Sequence, residues 1–352
     1  MVEGNKGSRN IITIKYIADK LGVSVTTVSR VLNGKAKEYR ISEKTANAIL
    51  KLAKELNYTP NPIAKSLRER KTNTIGLVIP DISNPFFASI AQNIENEARK
   101  FGYTIMLCDS GEDTNQEAEL IKILINRRVD GFIICPVGIS SEHLGVIFKK
   151  KIPIVIVDRY FRGLNCSYVV SDNYRGAYDA VNYLIGCGHR VIGCVQGLIG
   201  TSVNSDRVQG YKDALIHNGI EVDRTLITGD SFGEKNGYIA TKLLLNRERK
   251  PTAILALSNL ISLGALKAIK EEGLSIPQDI SIISFDDQPY CEYLSPPMTM
   301  IAQQKAEMGE IAVKLLIDQM SSTDISYSTG NTMQIMLPTR LIIRKSVRDI
   351  NE

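Results

Sequence analysis

The chain has 352 residues, of which 43% are hydrophobic and 23% charged, and its net charge is +5. This composition is typical of a globular protein with more than one domain. No apolar run reaches the roughly 18 residues of a membrane-spanning helix, and the polar, basic start MVEGNKGSRN has no apolar stretch for a secretory signal. We therefore expect a cytoplasmic protein with no membrane partner.

Charge is distributed unevenly along the chain. Residues 1–71 carry fifteen Lys and Arg against six Asp and Glu, whereas the remaining residues carry 28 against 32. A basic segment joined to a mildly acidic one indicates that the basic segment binds a polyanion such as nucleic acid. The six cysteines are scattered without a CxxC pair, so neither a metal nor a cofactor is expected.

The segment Thr13–Asn33 has the pattern of two short helices joined by a tight turn. Thr13 and Ser24 are good N-cap residues, and Gly22 permits the left-handed turn that ends the first helix. Apolar residues recur at helical spacing on one face of each helix, which predicts a shared core. The opposite face of the second helix carries small side chains and Arg30, which is long enough to reach a guanine edge or a phosphate. The alternative is a helical bundle with an incidental turn.

Ser42 opens a third helix, so we predict an all-α helix-turn-helix domain over residues 11–60, after a flexible tail over residues 1–10. Two prolines end the third helix, and a short hinge helix or linker follows over residues 61–72. A helix of barely two turns is marginal in water, so the hinge should need DNA or a partner to become ordered.

The motifs GVSVTTVSRVLNG, NYTPNPIAKSL and TNTIGLVIPDISNPFF resemble those of the LacI/GalR family of bacterial repressors, and the resemblance extends along nearly the whole chain. It implies that Val25, Thr26 and Arg30 read bases in the major groove of double-stranded operator DNA. It also implies phosphate contacts, which are assigned to Thr13, Ser24, Thr27, Ser29 and Asn33.

In the hinge, the resemblance implies that Leu67 wedges into a base step of the minor groove and kinks the duplex. Ala64 would let two hinges approach closely, and Asn61 would fix the backbone. Lys65 stands where many members have Arg, which keeps the charge but loses the bidentate fork. The segment KAKEYRIS is also longer than usual between the second and third helices, which affects the contacts expected there.

From Thr74 onwards, short apolar runs alternate with helical stretches. This alternation predicts parallel strands covered by helices on both faces of the sheet. This alternation of strands and helices occurs twice along the chain. We therefore predict that the rest of the chain forms two doubly wound α/β lobes and is periplasmic-binding-protein-like. The predicted first lobe covers residues 73–172 and 301–332, and the second covers residues 173–300 and 333–352.

Ligands of open α/β sheets bind beyond the carboxyl ends of the strands. The residues at those ends include aromatic rings, which can cover the C–H faces of a sugar, and polar groups, which can bind its hydroxyls. The candidate ligand-binding residues are Asn84, Phe86, Phe87, Asp158, Arg159, Arg207, Phe232, Asn259, Asp286 and Gln303. Phe86 and Phe87 could equally be core residues.

These positions resemble the pockets of periplasmic ribose-binding proteins as well as those of family repressors. The resemblance implies that Arg207 and Asp286 are the principal hydroxyl clamps, with Asp158 and Arg159 acting from the other lobe. Cys135 departs from the ribose pattern, in which Asn is usual, so ribose itself is less favoured than a pyranose-like monosaccharide. A sugar effector between the lobes would reset the spacing of the hinges and so change operator affinity in one direction or the other.

The helix after NPFF resembles the dimer contact of such repressors, with Ile90, Ile94 and Ala98 on one side. The alternative is that this side packs on the sheet of its own lobe. A homodimer is also expected, because one small helix-turn-helix domain (the head) buries little DNA surface, whereas two heads span a pseudo-palindrome. The tail after Arg344 lacks the apolar heptads of a tetramerising coiled coil.

Other functions compete with this interpretation. A transport sugar-binding protein would need an export signal and would have no use for residues 13–71. A regulator controlled by a phosphocarrier protein, or by a nucleoside or nucleobase, stays open as an alternative. An enzyme is disfavoured, because Asp286 and Asp287 are adjacent and their carboxylates diverge at a strand end. The sequence also has no Gly-rich phosphate loop and no Ser/His/Asp motif.

Overall fold

The computed structural model describes residues 13–58, 71–321 and 332–351. They divide into two compact units, one ending at Thr72 and one beginning at Asn73. The predicted tail lies outside the described residues, as do the predicted hinge contacts Asn61, Ala64, Lys65 and Leu67. None of the helices within the described ranges is long and apolar enough to cross a membrane.

The described residues of the first unit form the helices α1 (Ile14–Leu21), α2 (Val25–Leu32) and α3 (Glu43–Glu55). Each begins after a hydroxyl cap, because the side chains of Thr13, Ser24 and Ser42 accept a hydrogen bond from a backbone N–H of the first turn. Gly22 ends α1 in the left-handed region, with φ of 64°. The buried residues meet in one small core, which contains Ile17, Ala18, Val28, Val31, Ala46, Ile49 and Ala53. The predicted helix-turn-helix is confirmed.

The first lobe of the second unit is built on a six-stranded sheet. Its strands are β1 (Thr74–Ile79), β2 (Thr104–Asp109), β3 (Gly131–Ile134), β4 (Ile154–Val157), β5 (Ser167–Ser171) and β11 (Gln334–Leu337). They are all parallel, in the order β11-β5-β4-β3-β1-β2. The helices are α4 (Pro85–Lys100), α5 (Thr114–Asn126), α6 (Gly145–Lys149), which follows a 3-10 turn at Glu142–Leu144, and α11 (Lys305–Ser321). Helices α4 and α11 share a core on one face, and α5 and α6 share a core on the other.

The second lobe repeats this plan. Its strands are β6 (Ile192–Val195), β7 (Ile227–Thr228), β8 (Ala253–Ala256), β9 (Ser281–Phe285), β10 (Thr299–Ala302) and β12 (Arg340–Ile342). The order is β12-β10-β9-β8-β6-β7, and only the edge strand β12 is antiparallel to its neighbour in this sheet. The helices are α7 (Asn173–Gly186), α8 (Ser202–His217), α9 (Glu234–Leu245) and α10 (Asn259–Glu271), with 3-10 turns at Arg224–Leu226 and Pro289–Glu292. The doubly wound α/β class is confirmed for both lobes.

The lobe boundaries differ from the predicted ones near the C-terminus. Strand β11 pairs with β5, with Gln334 beside Tyr168, so a strand assigned to the second lobe belongs to the first. Residues 301 and 302, assigned to the first lobe, belong to β10 and pair within the second sheet. The sequence pattern does not show which sheet a short strand joins, because that choice depends on long-range pairing.

Two surface expectations for the first lobe are also corrected. Ile90, Ile94 and Ala98 are fully buried in the core that α4 shares with α11, so the expectation that this face contacts a second copy is wrong. Strand β2, expected to be buried, is instead an edge strand with Met106 37% and Leu107 43% exposed. The apolar run is typical of either position, since an edge strand can carry apolar residues on an uncovered side.

Candidate functional site

The predicted base readers lie on one exposed side of α2. Val25 is 43% exposed, and Thr26 and Arg30 are also exposed. Val28 and Val31, on the opposite side of the helix, are buried in the core of the head. The short helix therefore presents two small side chains and one long cation together, which is a surface that can enter a major groove.

Of the predicted phosphate-binding residues, Thr13, Ser24 and Asn33 cap helix ends, and Thr27 and Ser29 lie within α2. Thr13 accepts a hydrogen bond from a backbone N–H of α1, and Ser24 accepts one of 3.0 Å from the backbone N–H of Thr27. The hydroxyls of Ser24 and Thr27 are 2.8 Å apart, and Asn33 donates from Nδ2 to the carbonyl oxygen of Ser29. These contacts hold the side chains in place at the surface of the head. One proton of the Ser24–Thr27 hydroxyl pair is used within the pair, which leaves the other for donation to a phosphate.

A cavity of about 420 Å³ opens between the two lobes, at the carboxyl ends of both sheets. Eight of the ten predicted ligand residues line it, and they are Asn84, Phe86, Phe87, Asp158, Arg159, Arg207, Phe232 and Asp286. Asn259 and Gln303 do not line the cavity but hold residues that do. The part of the chain that the structure describes contains no cluster of His, Cys, Asp and Glu suited to a metal ion.

The two lobes place an aspartate at equivalent positions. Asp158 follows β4 and Asp286 follows β9, and both have a left-handed backbone, with φ of 69° and 72°. Such a backbone costs free energy for residues other than glycine, although Asp tolerates it better than most. Both side chains are only 5–6% exposed at the cavity. The same local turn thus brings one carboxylate from each lobe to the cleft.

Arg207 is fixed by several contacts in the second lobe. It donates from Nε to Asn173 at 2.7 Å and from Nη1 to the carbonyl oxygen of Leu257. Its guanidinium lies 3.8 Å from the ring centroid of Phe285 and 3.9 Å from Asp286. Burial lowers the pKa of Arg207, and the two nearby aspartates oppose that effect. The supporting residues were missed, because they belong to different elements.

Arg159 is held in the first lobe by Glu112, which sequence reasoning also missed. The two side chains form a bidentate pair at 2.7 and 2.8 Å. Burial acts to lower the pKa of Arg159, but the charge and hydrogen bonds of Glu112 outweigh it and raise that pKa above its usual value. The guanidinium also lies near the rings of Phe87 and Phe232, at 5.8 and 5.2 Å from their centroids. The charged pair of Arg159 and Glu112 therefore lies near one aromatic ring from each lobe.

Asp158 is an acidic group of the cleft whose pKa is raised. Its burial raises its pKa to about 6, against the opposing attraction of Arg159 and Arg207, while the carboxylate of Asp286 adds to the rise. Near neutral pH this side chain can therefore either accept hydrogen bonds or, when protonated, donate one.

Polar contacts join the lobes behind and beside the cavity. Asn259 donates from Nδ2 to Asn84 across the cleft at 2.9 Å. Within the second lobe, Gln303 donates to Asp286, which follows the neighbouring strand. A second bridge runs from the β4–β5 connection to α8, where the hydroxyl of Tyr160 donates to Asp206 at 3.2 Å. Helix α8 begins at Ser202, because Thr201 caps it.

The aromatic candidates have two roles at once. Phe86 and Phe87 meet edge to face, with ring centroids 5.1 Å apart, and both belong to the core of the first lobe while also lining the cavity. The ring of Phe232 packs directly on the backbone of Gly197, because a Cβ added at Gly197 would come within 2.1 Å of that ring. Cys135 is fully buried in the core and does not line the cavity, so it gives no reason to disfavour ribose.

Further lining residues had no clear signal in the sequence. They are Asp81, Glu112, Leu198, Val203, Ser231, Gly233, Ser258 and Leu260. Most lie in loops or first helical turns just after a strand, which is the position that the strand-end rule points to. The rule located the right regions, but it did not select individual residues within them.

A helix-turn-helix head combined with a two-lobed ligand cleft defines a class of protein, the ligand-responsive DNA-binding regulators. Residues 13–61 match the model for bacterial regulatory proteins of the lacI family, and residues 181–347 match that for a periplasmic binding protein-like domain. The ribose operon repressor of Haemophilus influenzae is 34% identical over 335 residues, which cover 95% of this chain and 98% of the relative. The chain belongs to the LacI family of DNA-binding transcriptional repressors, which is not a family of enzymes.

Two solved structures have the same architecture. The lac repressor dimer bound to operator and the anti-inducer ONPF is 25% identical and aligns with a TM-score of 0.82, covering 96% of this chain and 99% of that one. A LacI family regulator from Enterococcus faecium with bound ribose is 31% identical, with a TM-score of 0.69 and coverage of 79% and 99%. Family members thus bind operator DNA and small-molecule effectors.

Proposed function

We propose that this repressor responds to a small sugar, a ribose-like pentose or a hexose, bound between its two lobes. One observation carries the proposal, which is that the same cavity combines phenyl rings with a carboxylate from each lobe, Asp158 and Asp286. Rings cover the apolar C–H face of a sugar, while charged groups make paired hydrogen bonds to its neighbouring hydroxyls.

The size and rigidity of the cleft support a ligand of this kind. A volume of about 420 Å³ is near the lower end of the range for ligand sites, roughly 300–1,000 Å³. Arg207 and Arg159 are already held by partners inside the protein, so little side-chain entropy is lost when a ligand binds. The ribose named for two of the similar proteins makes that sugar the first to test.

We assign the ligand contacts by lobe. Arg207 and Asp286 bind hydroxyls from the second lobe, and Asp158 and Arg159 bind them from the first. Phe86, Phe87 and Phe232 enclose the sugar ring. Asn259 and Gln303 hold the carboxylate of Asp286, and the bond from Asn259 to Asn84 joins the lobes.

We assign the DNA contacts on the exposed side of the head. Val25, Thr26 and Arg30 read bases, and the remaining candidates contact phosphates. The phosphate contacts are Thr13, Ser24, Thr27, Ser29 and Asn33. In the hinge, Leu67 inserts into the minor groove, supported by Asn61, Ala64 and Lys65. The regulator works in the bacterial cytoplasm, where the chromosome is.

Sugar binding changes the closure of the lobes and thereby the hinge spacing. The contacts that bridge the lobes beside the cavity, from Tyr160 and Arg162 to Asp206, are the ones that such a movement remakes. A coupling free energy of about 1–3 kcal/mol would be ordinary for such a switch. The protein acts as a homodimer on a pseudo-palindrome, and the exposed edge strand β2 offers an apolar first-lobe surface for the second copy.

A thermal-shift screen tests the effector. Pentoses, hexoses, their phosphates, uronates and nucleosides are added to the full-length protein, to Asp286→Asn and to Asp287→Asn. Asp287 is a matched control because it pairs with Arg344 and does not line the cavity. A sugar at 100 times its Kd adds about 2.7 kcal/mol of stability, so one sugar should raise the Tm of the wild type and the control but not of Asp286→Asn. Stabilisation by a nucleoside alone would contradict the sugar, and no stabilisation at all would contradict the cleft as the sensor.

A further inference from the structure

The segment between α2 and α3 touches the side chain that the proposed function uses to read DNA. The guanidinium carbon of Arg30 lies 3.8 Å from the ring centroid of Tyr39, nine residues later. Arg30 is exposed and Tyr39 is 42% exposed, so the contact lies on the surface of the head and not in its core. A guanidinium at this distance is in van der Waals contact with the face of the ring, the arrangement that arginine favours on aromatic groups.

The backbone of the segment holds the ring at this position. Lys35 donates its backbone N–H to the carbonyl oxygen of Arg30 at 2.9 Å, and Tyr39 donates to the carbonyl oxygen of Lys35 at 3.2 Å. Ile41 donates in turn to Ala36, and both of these apolar side chains pack against the core of the head. The ring is therefore tied to the C-terminal end of α2 on one side and to the core on the other.

A stacked guanidinium is restricted in a way that matters for base recognition. The ring occupies one face of the planar group, which leaves the N–H donors at its edge directed away from the ring. A bidentate contact with guanine uses that edge. An unsupported arginine would lose more rotamer freedom on binding than one that is already stacked.

We propose that Tyr39 is a positioning residue that determines specificity, and that it acts by holding the guanidinium of Arg30 edge-on to a base pair in the major groove. The inference rests on the proposed role of Arg30 as a base reader. The segment over residues 35–41 supplies the ring, so this feature depends on the connection between α2 and α3 as well as on the recognition helix.

The test uses the full-length protein and duplexes recovered from a random-sequence DNA library. Fluorescence anisotropy gives the affinity for the best duplex and for each of its single-base variants, with Tyr39→Leu, Tyr39→Phe, Arg30→Ala and the double variant Tyr39→Leu with Arg30→Ala. Tyr39→Leu should lower the affinity for the best duplex about two- to five-fold, the effect of an exposed cation–π contact. It should also weaken the preference at one base pair, the same one that Arg30→Ala affects. Tyr39→Phe, which keeps the ring, should behave as the wild type.

The double variant separates positioning from direct contact. If Tyr39 acts through Arg30, then Tyr39→Leu has no further effect once Arg30 is alanine. An equal loss in both backgrounds, or a uniform loss across all duplexes with the base preference unchanged, would overturn the inference. Far-UV circular dichroism and thermal unfolding check that the head of each variant is folded, and Tyr39→Phe supplies the comparison should Tyr39→Leu unfold it.

The outcomes for Arg30→Ala distinguish this inference from the proposed function beneath it. If Arg30→Ala leaves every base preference intact, the role of Arg30 as a reader fails. If Arg30→Ala removes one preference and Tyr39→Leu leaves it intact, only the role of Tyr39 fails.

Discussion

The head and the cleft each contain an arginine to which we assign a role in recognition, but the two lie in opposite surroundings. Arg30 is exposed on α2 and stacks on one ring. The side chain of Arg207 is 3% exposed and donates to Asn173 and to the carbonyl oxygen of Leu257. A polyanion such as DNA attracts exposed cations over a distance, whereas a small neutral ligand needs its partners already in place.

This difference means that the two regions should respond differently to mutation. In the cleft, the charges are part of the folded structure, because a buried cation without partners is strongly unfavourable. On the head, the recognition side chains stay in water and contribute little to folding. Stability and recognition are therefore coupled in the ligand domain and separate in the DNA-binding domain.

The largest expected effect is a loss of stability in Arg207→Ala. Removal of the guanidinium leaves the carboxylate of Asp286 without its buried cation and the Oδ1 of Asn173 without its donor, and breaking such a pair costs about 3 kcal/mol. Urea unfolding followed by far-UV circular dichroism measures this loss in the transition of the ligand domain. Arg175→Ala is the matched control in the same lobe, since Arg175 is exposed and its contacts with Asp179 and Tyr178 lie at the surface. It should unfold as the wild type does. Equal unfolding of the two variants would contradict the assignment of Arg207 to the folded framework.

The opposite result is expected for Arg30→Ala. Its unfolding transition should match that of the wild type, because the side chain is exposed. Its affinity for the best duplex should fall by about 1–3 kcal/mol, the value of one bidentate base contact. Lys51→Ala, which removes an exposed cation from α3 of the same head, controls for the general loss of positive charge. A stability loss as large as that of Arg207→Ala would erase the contrast between the regions.

A smaller effect follows from the raised pKa of Asp158, about 6 in the folded protein against roughly 3.9 in an unfolded chain. At a pH between these two pKa values, Asp158 is therefore protonated in the folded state and ionised in the unfolded state. The bound proton stabilises the folded protein at low pH, and this stability is lost as the pH rises through 6. Lowering the pH from 7 to 5 should stabilise the wild type by about 1 kcal/mol relative to Asp158→Asn. Unfolding at both pH values measures it, and identical pH dependence of the two proteins would show that Asp158 titrates normally.

Local features were predictable from the sequence. The caps Thr13, Ser24 and Ser42 and the turn at Gly22 were found, because each depends on a few neighbouring residues. The strand-end rule found Asp158, because the end of a buried apolar run is visible in the pattern.

Features that depend on distant pairing could not be predicted. Glu112 and Arg159 are 47 residues apart, and no local signal links them. Helix α4 is amphipathic, but periodicity does not show whether its apolar face meets its own sheet and α11 or a second copy. The stack of Tyr39 on Arg30 depends on the conformation of an irregular segment, which no periodicity describes.

The central claim is that a sugar in the cleft controls the affinity of the head for DNA. Fluorescence anisotropy of the full-length protein on its best duplex, with and without ribose and then hexoses, tests it most directly, in the wild type and in Asp286→Asn and Asp287→Asn. We predict that one of these sugars changes the affinity about 5- to 150-fold, and that the change is lost in Asp286→Asn and kept in Asp287→Asn. A sugar that stabilises the ligand domain through Asp286 yet leaves the affinity for DNA unchanged would contradict the account.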